Sequence, residues 1–199
     1  MSRSGAFLSY LSIMVVGFAF AGGCAPPQPQ TAAPHEDLDA AAWVQTSAEY
    51  RGLARQTFRS AIDRLEEARN DRKWSAIPSQ AKRLSTMPAD AKQQPLAIIV
   101  DVDETVLDNS GYQAGLIENE AEYSPDSWET WVLAEKAKPI PGAKTFLDVC
   151  RSSNVHVFFV TNRENKLESA TRTNLEICEL ILPEDPDMIL SKRERDAWG

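Results

Sequence analysis

The sequence has few of the residues and motifs on which several common kinds of site depend. Its 199 residues include two histidines and three cysteines, none of them in a CxxC or Cys/His zinc spacing. Walker, Gly-x-Ser-x-Gly and Cys-x5-Arg patterns are also absent. The 21 basic residues are outnumbered by 29 acidic ones and form no clustered stripe. The sequence therefore offers no electrostatic footprint for nucleic acid, and an anionic ligand would need locally placed positive charge.

The first residues have the composition of an export signal. Residues 1–23 combine one cation, Arg3, with an apolar run broken only by small or hydroxyl residues, which is typical of a secretory signal peptide rather than a membrane span. The ending AGGC resembles a bacterial lipobox, in which Cys24 would be lipidated, although Ala21 stands where leucine is usual. The alternative is a plain signal peptide with a chance cysteine. We predict an exported, membrane-anchored lipoprotein of the bacterial cell envelope, with the outer membrane as its expected site.

A tether is predicted to follow the lipidated cysteine. Residues 24–42 are rich in proline, glutamine and alanine, the composition of a disordered linker between an anchor and a domain. The other two cysteines, Cys150 and Cys178, sit in apolar segments, which indicates two buried thiols. A disulfide between them is the alternative, since nothing in the sequence sets their distance.

From residue 43 onward, helical and strand patterns alternate. An amphipathic helix is predicted from Tyr50 to Leu65, with Thr46 and Glu49 as a capping box at its start. LAIIV reads as a strand buried on both faces, and VHVFFV and DMIL read as two further strands. The segments AKTFLDVCRS and NKLESATRTNLEICELI between them have helical spacing. This order predicts an α/β fold, a parallel sheet with helices on both faces.

Polar residues follow the first two predicted strands. Asp101 and Asp103 come directly after LAIIV, with Glu104 and Asp108 close behind, and Thr161-Asn162-Arg163 follows VHVFFV. Sites in parallel sheets form at the carboxyl ends of the strands, so we expect these two clusters to converge. For Thr161-Asn162-Arg163 an ordinary strand-to-helix cap is the alternative.

Four carboxylates within eight residues repel one another unless a positive charge lies among them. Two carboxylates in one crevice would either share a proton or bind a hard cation such as Mg²⁺, which prefers oxygen ligands. One carboxylate could then attack phosphorus, while the other donates and accepts protons. A hydroxyl such as that of Thr161 could bind the transferred phosphoryl group. A DxD pair by itself is weak evidence, because surface loops often contain one.

Several segments together resemble a known family. DVDET after an apolar strand and FFVTNR after the next resemble motifs of the haloacid dehalogenase superfamily, whose members are mostly Mg²⁺-dependent phosphohydrolases. With the segment from Trp43 to Ala61, the pair Trp128/Trp131 and KPIPGAKTFL, the likeness narrows to class C acid phosphatases, which are bacterial lipoprotein phosphatases and nucleotidases. It spans roughly Trp43 to Leu190.

The resemblance implies roles for particular residues. Asp101 is similar to the family's nucleophile and a magnesium ligand, and Asp103 to its general acid/base, which also binds the metal through its backbone carbonyl. Thr161 corresponds to the phosphate-binding hydroxyl, with Asn162 beside it, and Arg163 could add charge for the substrate. The implied function is that of a Mg²⁺-dependent acid phosphatase or 5′-nucleotidase, a hydrolase of small phosphate monoesters. The two histidines, His35 in the tether and His156 inside a strand, argue against the histidine phosphatases.

Aromatic residues around Tyr112, Tyr123, Trp128 and Trp131 could form a small helical cap that stacks a nucleobase or aryl group, with core packing as the alternative. The resemblance also implies a lysine a few residues beyond Trp198, so Lys192 is not assigned to that role, and a later GDN..DF segment that these 199 residues do not contain. We therefore expect an acid phosphatase domain over 43–199 that is truncated at its C-terminus, with the last strands missing. In the superfamily fold one of those strands lies beside the first strand, so its loss would leave LAIIV as an exposed apolar edge. The alternative function is a catalytically inactive surface lipoprotein that only binds a ligand or is inert.

Overall fold

The computed structural model of the protein describes residues 36–71, 73–87 and 95–194. The helices are α1 Leu38–Thr46, α2 Ala48–Asn70, α3 Pro78–Thr86, α4 Ser110–Glu118, α5 Pro125–Leu133, α6 Ala143–Ser152 and α7 Glu168–Ile177. The strands are β1 Ala97–Asp101, β2 Leu107–Asp108, β3 Lys138–Pro139, β4 His156–Glu164 and β5 Ile189–Lys192. A short 3-10 helix, Asn165–Leu167, precedes α7.

The three predicted strands form one parallel sheet. Their order is β1-β4-β5, with Ala97 opposite His156, Asp101 opposite Val160, and Phe159 opposite Ile189. The strands β2 and β3 form a separate antiparallel pair. The prediction of an α/β fold with a parallel sheet is confirmed, and β1 ends beside Val160, while β4 continues to Glu164.

LAIIV is not buried on both faces, as its apolar run alone predicted, but forms an exposed edge, as was expected where the last strands are missing. Along β1 the residues alternate between exposed and half-buried, and Ile99 is 69% exposed. Among the described residues β1 is an edge strand, paired only with β4. A continuous apolar run shows that a strand avoids water, but it does not show how many neighbours will cover it.

The helix α2 covers one side of the core, where it packs on α6 through Phe58 and Phe146, whose ring centroids are 5.7 Å apart. Its predicted capping box was misplaced by one residue. The Ser47 side chain accepts the Tyr50 N–H at 2.9 Å and begins α2, whereas Thr46 ends α1 and donates its hydroxyl to the carbonyl of Ala42. The amphipathic helix itself is confirmed, and it extends to Asn70.

Part of the predicted tether, which was expected to extend to residue 42, is helical. The helix α1 begins at Leu38 and buries Ala41, and the Gln45 side chain donates to the carbonyl of Ser110 at 3.1 Å. The predicted signal peptide, Cys24 and His35 lie outside the described residues. Among the residues that are described, no helix has the length and apolarity needed to cross a membrane.

The two cysteines among the described residues, Cys150 and Cys178, are free thiols. Cys150 is fully buried, and burial raises its thiol pKa to about 11. Cys178 is half-buried, its pKa is also raised by burial, and its thiol donates to the carbonyl of Ala137 at 3.3 Å. The two thiols therefore pack as small apolar side chains, and the disulfide alternative is not what the structure contains.

One glycine is required where α6 meets α2. Gly142 precedes α6 with a φ of +101°, and a Cβ there would lie 3.2 Å from the Cα of Arg55. We expect Gly142→Ala to lower the free energy of unfolding by about 2 kcal/mol, because the left-handed backbone and the crowding both disfavour a side chain. Thermal and urea unfolding would measure this.

The matched control is Gly52→Ala in the second turn of α2, where a Cβ meets nothing within 4 Å. It should stabilise the protein by roughly 0.5–1 kcal/mol through helix propensity alone. A Gly142→Ala protein as stable as Gly52→Ala would contradict the analysis.

Candidate active site

The two predicted catalytic aspartates flank a sharp turn at the end of β1. Val102, between them, is fully buried, and its carbonyl accepts the N–H groups of Val106 and Leu107 at 3.0 and 2.9 Å. Glu104 adopts a φ of +54° within this turn, a conformation that most side chains avoid. The turn thus places the carboxylates of Asp101 and Asp103 at the carboxyl end of the sheet, as the sequence predicted.

Asp103 is held by an ion pair to the end of the neighbouring strand. Arg163 donates from Nη2 to Asp103 Oδ1 at 2.7 Å and from Nε to both carboxylate oxygens at 3.1 and 3.2 Å. The Arg163 side chain is 1% exposed and that of Asp103 is 21% exposed. A guanidinium that binds two oxygens of one carboxylate fixes its orientation as well as its charge.

The sequence analysis predicted that Arg163 adds charge for the substrate, but in the structure its side chain binds other residues of the protein. Besides the bonds to Asp103, Nη1 donates to the hydroxyl of Thr171 at 3.2 Å, and the Trp128 ring lies 5.6 Å from the guanidinium carbon. The substrate role therefore stays a prediction, and the observed role is that of a partner for Asp103. The guanidinium of Arg163 therefore supplies, from the chain itself, one of the positive charges that the four neighbouring carboxylates require.

The polar residues Thr161-Asn162-Arg163 lie within β4, because that strand continues to Glu164 instead of ending at Val160. Side chains alternate along a strand, so Thr161 and Arg163 are buried and Asn162 between them is exposed. Thr161 Oγ1 lies 3.5 Å from Asp103 Oδ2 and accepts the Arg163 N–H at 3.1 Å. The structure brings Thr161 and Arg163 to Asp103, and it places Asn162 on the other face of the strand.

Two residues of the site were missed by the sequence analysis. Asn109 is 2% exposed; its Nδ2 donates to Asp103 Oδ1 at 2.9 Å, and its Oδ1 accepts the indole N–H of Trp131 at 2.8 Å. The only signal was the position of Asn109 just after DVDETVLD. Trp131 stood out as an aromatic residue, but nothing in its spacing indicated a bond to Asn109.

The remaining carboxylates in and near the turn, those of Asp101, Glu104 and Asp108, accept hydrogen bonds from residues close to them in the chain. Asp108 accepts the N–H of Ser110 at 2.8 Å, where α4 begins, and Glu104 accepts that of Asn109 at 3.0 Å. Burial of its carboxyl raises the pKa of Glu104, as do Asp103 and Asp108, although the bond from Asn109 opposes the shift. Asp101 accepts a hydrogen bond from a neutral hydroxyl, that of Thr105, at 3.2 Å.

The aromatic segment forms two helices whose rings pack on one another. Tyr112 is 6% exposed and contacts Tyr123, Trp128 and Trp131, and its hydroxyl lies 2.8 Å from that of Ser127. Core packing is thus the observed role of Tyr112. Tyr123 is 63% exposed, which leaves its ring available to solvent.

The described residues contain no group of three or more histidine, cysteine, aspartate or glutamate side chains able to hold a metal ion. The donors present are nevertheless oxygens of the kind that Mg²⁺ prefers. Magnesium usually keeps several waters and takes one or two protein carboxylates together with a substrate phosphate. The Asp101 carboxylate, with its neutral partner, fits such a ligand, and the backbone carbonyl of Asp103 is the second donor that the resemblance implies.

The Asp103–Arg163 pair gives a stability prediction. Arg163→Lys keeps the charge but loses the planar fork, so we expect the free energy of unfolding to fall by about 2 kcal/mol. Arg193→Lys is the matched control, because Arg193 binds Glu164 at 3.1 Å with side chains 65% and 41% exposed, and such pairs contribute less than about 1 kcal/mol. Equal losses in urea unfolding would contradict a special role for the buried pair.

Comparison with known proteins identifies a family and similar solved structures. A family model described as HAD superfamily, subfamily IIIB (acid phosphatase) matches residues 33–181. A class C acid phosphatase from Bacillus anthracis is similar in structure, with a TM-score of 0.63 and 28% identity over 79% of this chain. The same phosphatase with tungstate bound matches with a TM-score of 0.62 and 27% identity, also over 79% of this chain. The chain spans 58% of the length of each of these structures. It belongs to the acid phosphatases of the HAD superfamily, subfamily IIIB.

Proposed function

We propose that the protein hydrolyses phosphate monoesters as a Mg²⁺-dependent acid phosphatase, through an aspartyl-phosphate on Asp101. The observation that supports this most directly is the division of labour between the two aspartates. Asp103 is held by Arg163 and Asn109, while Asp101 lies exposed at the end of β1 beside a neutral hydroxyl. A fixed carboxyl suits proton transfer, and an exposed one suits attack on a substrate.

In the first half of the reaction, an oxygen of Asp101 attacks phosphorus and the bond from phosphorus to the ester oxygen breaks. The proton of Asp103 goes to the leaving oxygen, so that an alcohol departs rather than an alkoxide. The hydroxyl of Thr161, beside Asp103, donates a hydrogen bond to a phosphoryl oxygen as charge moves onto it.

In the second half, water attacks the phosphorus of the aspartyl-phosphate. Asp103, now ionised, takes a proton from that water, and the bond between phosphorus and Asp101 breaks. Inorganic phosphate leaves, Asp101 is again a carboxylate, and Asp103 again holds its proton. Arg163 keeps the Asp103 carboxyl in one orientation through both steps.

A Mg²⁺ ion held by Asp101 and the backbone carbonyl of Asp103 would supply positive charge to the substrate's phosphate oxygens. The substrates we propose are small phosphate monoesters, including nucleotides. Tyr123 is the member of the aromatic cluster most exposed to a base or aryl group, and base–aromatic stacking is tolerant of the base's identity.

The nucleophile assignment gives a direct prediction. Asp101→Asn should abolish turnover of p-nitrophenyl phosphate, because an amide cannot form the phosphoenzyme. Asp103→Asn should still release p-nitrophenolate, which needs no proton, in a burst of about one equivalent before turnover slows, because the base for water is missing. Stopped-flow absorbance measures both, with Mg²⁺ and with EDTA.

Asp63→Asn, at an exposed position of α2, is the matched control and should turn over like the wild type. Turnover by Asp101→Asn at the wild-type rate would contradict the mechanism. Binding of phosphate esters by the wild type without any turnover would instead favour the non-enzymatic surface lipoprotein.

The proposal includes anchoring of the enzyme in the bacterial envelope through a lipid on Cys24. When the protein is expressed in bacteria fed radiolabelled palmitate, the label and the protein should appear together in the membrane fraction. Cys24→Ser should lose the label and leave that fraction, while Cys178→Ser, within the folded part, should keep it. Label that persists in Cys24→Ser would rule out this anchor.

A further inference from the structure

The indole of Trp131 reaches the acid/base carboxyl through one intermediary. Trp131 lies on α5, and its N–H donates to Asn109 Oδ1 at 2.8 Å. Asn109 in turn donates from Nδ2 to Asp103 Oδ1 at 2.9 Å. Asn109 is 2% exposed, so water does not compete freely for either bond. A chain of two hydrogen bonds thus runs from the helix α5 to Asp103.

The direction of this chain is set by its two ends. An indole N–H can only donate, so the oxygen of the Asn109 amide must face Trp131 and the NH₂ group must face the carboxylate. The carboxylate of Asp103 favours the same orientation, since it accepts from the NH₂ group. Without the indole, Asn109 Oδ1 would lose its donor, and the amide would be held at one end only. Trp131 therefore helps to fix the position from which Asn109 donates to Asp103.

The indole of Trp131 packs closely against α4. A Cβ at Gly111 would lie 2.9 Å from Cη2 of Trp131, closer than side-chain atoms approach one another. The start of α5 is fixed by a capping box between Ser124 and Ser127. Ser127 is also bonded to the Tyr112 hydroxyl of α4. The two helices hold the ring in place, and Gly111 leaves room for it.

The neighbouring tryptophan of α5 acts on the other partner of Asp103. The ring of Trp128 lies 5.6 Å from the guanidinium carbon of Arg163, a cation–π contact with the residue that grips Asp103 from β4. Trp128 and Trp131 are three residues apart on a helix, so they project from the same side of it. One helix thus covers both Asn109 and Arg163.

We propose that Trp131 is a positioning residue that acts through Asn109 to hold the Asp103 carboxyl where it can protonate the leaving oxygen. The proposal rests on the function proposed above for Asp103. It assigns the indole to the protein's own acid/base group, whereas the sequence had suggested only a stacking surface or core packing.

The test compares two esters that differ in their need for a proton. An alkyl phosphate such as glycerol phosphate needs a proton on its leaving oxygen, whereas p-nitrophenyl phosphate does not. In single-turnover measurements, we expect Trp131→Phe to slow release of the leaving group about 10- to 100-fold for the alkyl ester, but less than about threefold for the aryl ester. A single turnover isolates this step from hydrolysis of the aspartyl-phosphate, which needs Asp103 as a base with either ester. The KM values should change little, because the substrate does not need to contact Trp131.

Two further variants sharpen the comparison. Gly111→Ala keeps every polar group but displaces the indole, and it replaces a helical glycine with a better helix former, so the variant should fold and show the same selective loss. Trp74→Phe is the matched control, since Trp74 is 40% exposed in the loop after α2. It should behave like the wild type on both esters.

The outcomes separate this inference from the proposed function. Selective loss on the alkyl ester in Trp131→Phe or Gly111→Ala supports it. Equal losses on the two esters, or none, while the wild type turns over and Asp101→Asn does not, would overturn the positioning role alone. A wild type that hydrolyses neither ester in the presence of Mg²⁺ would overturn the phosphatase function, and the positioning role with it.

Discussion

The ion pair between Asp103 and Arg163 is the interaction on which the arrangement of the site depends. It joins residues 60 positions apart in the chain, one in the turn after β1 and the other near the end of β4. An arginine that is 1% exposed cannot lose its charge and would be costly to bury without a partner. The residue that balances this charge is also the one to which the proposed chemistry assigns the proton transfers, so the packing of Arg163 and the proposed catalysis both depend on the position of Asp103.

The fold was predictable wherever one pattern spans a whole element. The amphipathic spacing from Tyr50 to Leu65 predicted α2, and the apolar runs predicted β1, β4 and β5 in a parallel sheet. The finer points depended on contacts between distant segments. The face of β1 that carries Ile99 is exposed. Exposure of a strand face depends on which other segments pack against it, and the sequence of the strand alone does not predict those contacts.

The site was predictable in its members but less so in their roles. The position of Asp101 and Asp103 after a strand predicted their convergence with Thr161, and the structure brings them to the same end of the sheet. The role of Arg163 could not be predicted, because it depends on β4 continuing as a strand past Val160. That continuation points Arg163 to the same face as Thr161, toward Asp103, and turns Asn162 away.

The four neighbouring carboxylates, those of Asp101, Asp103, Glu104 and Asp108, interact with different partners. Asp103 has the guanidinium of Arg163, while Glu104 and Asp108 accept backbone N–H groups where α4 begins. Among the residues that the structure describes, Asp101 has the hydroxyl of Thr105 as its side-chain partner, and it lies exposed. Since three carboxylates are satisfied by the chain itself, Asp101 is the one left to interact with a cation or an electrophile from outside. The distribution of partners therefore separates the group that the fold holds in place from the group that can react.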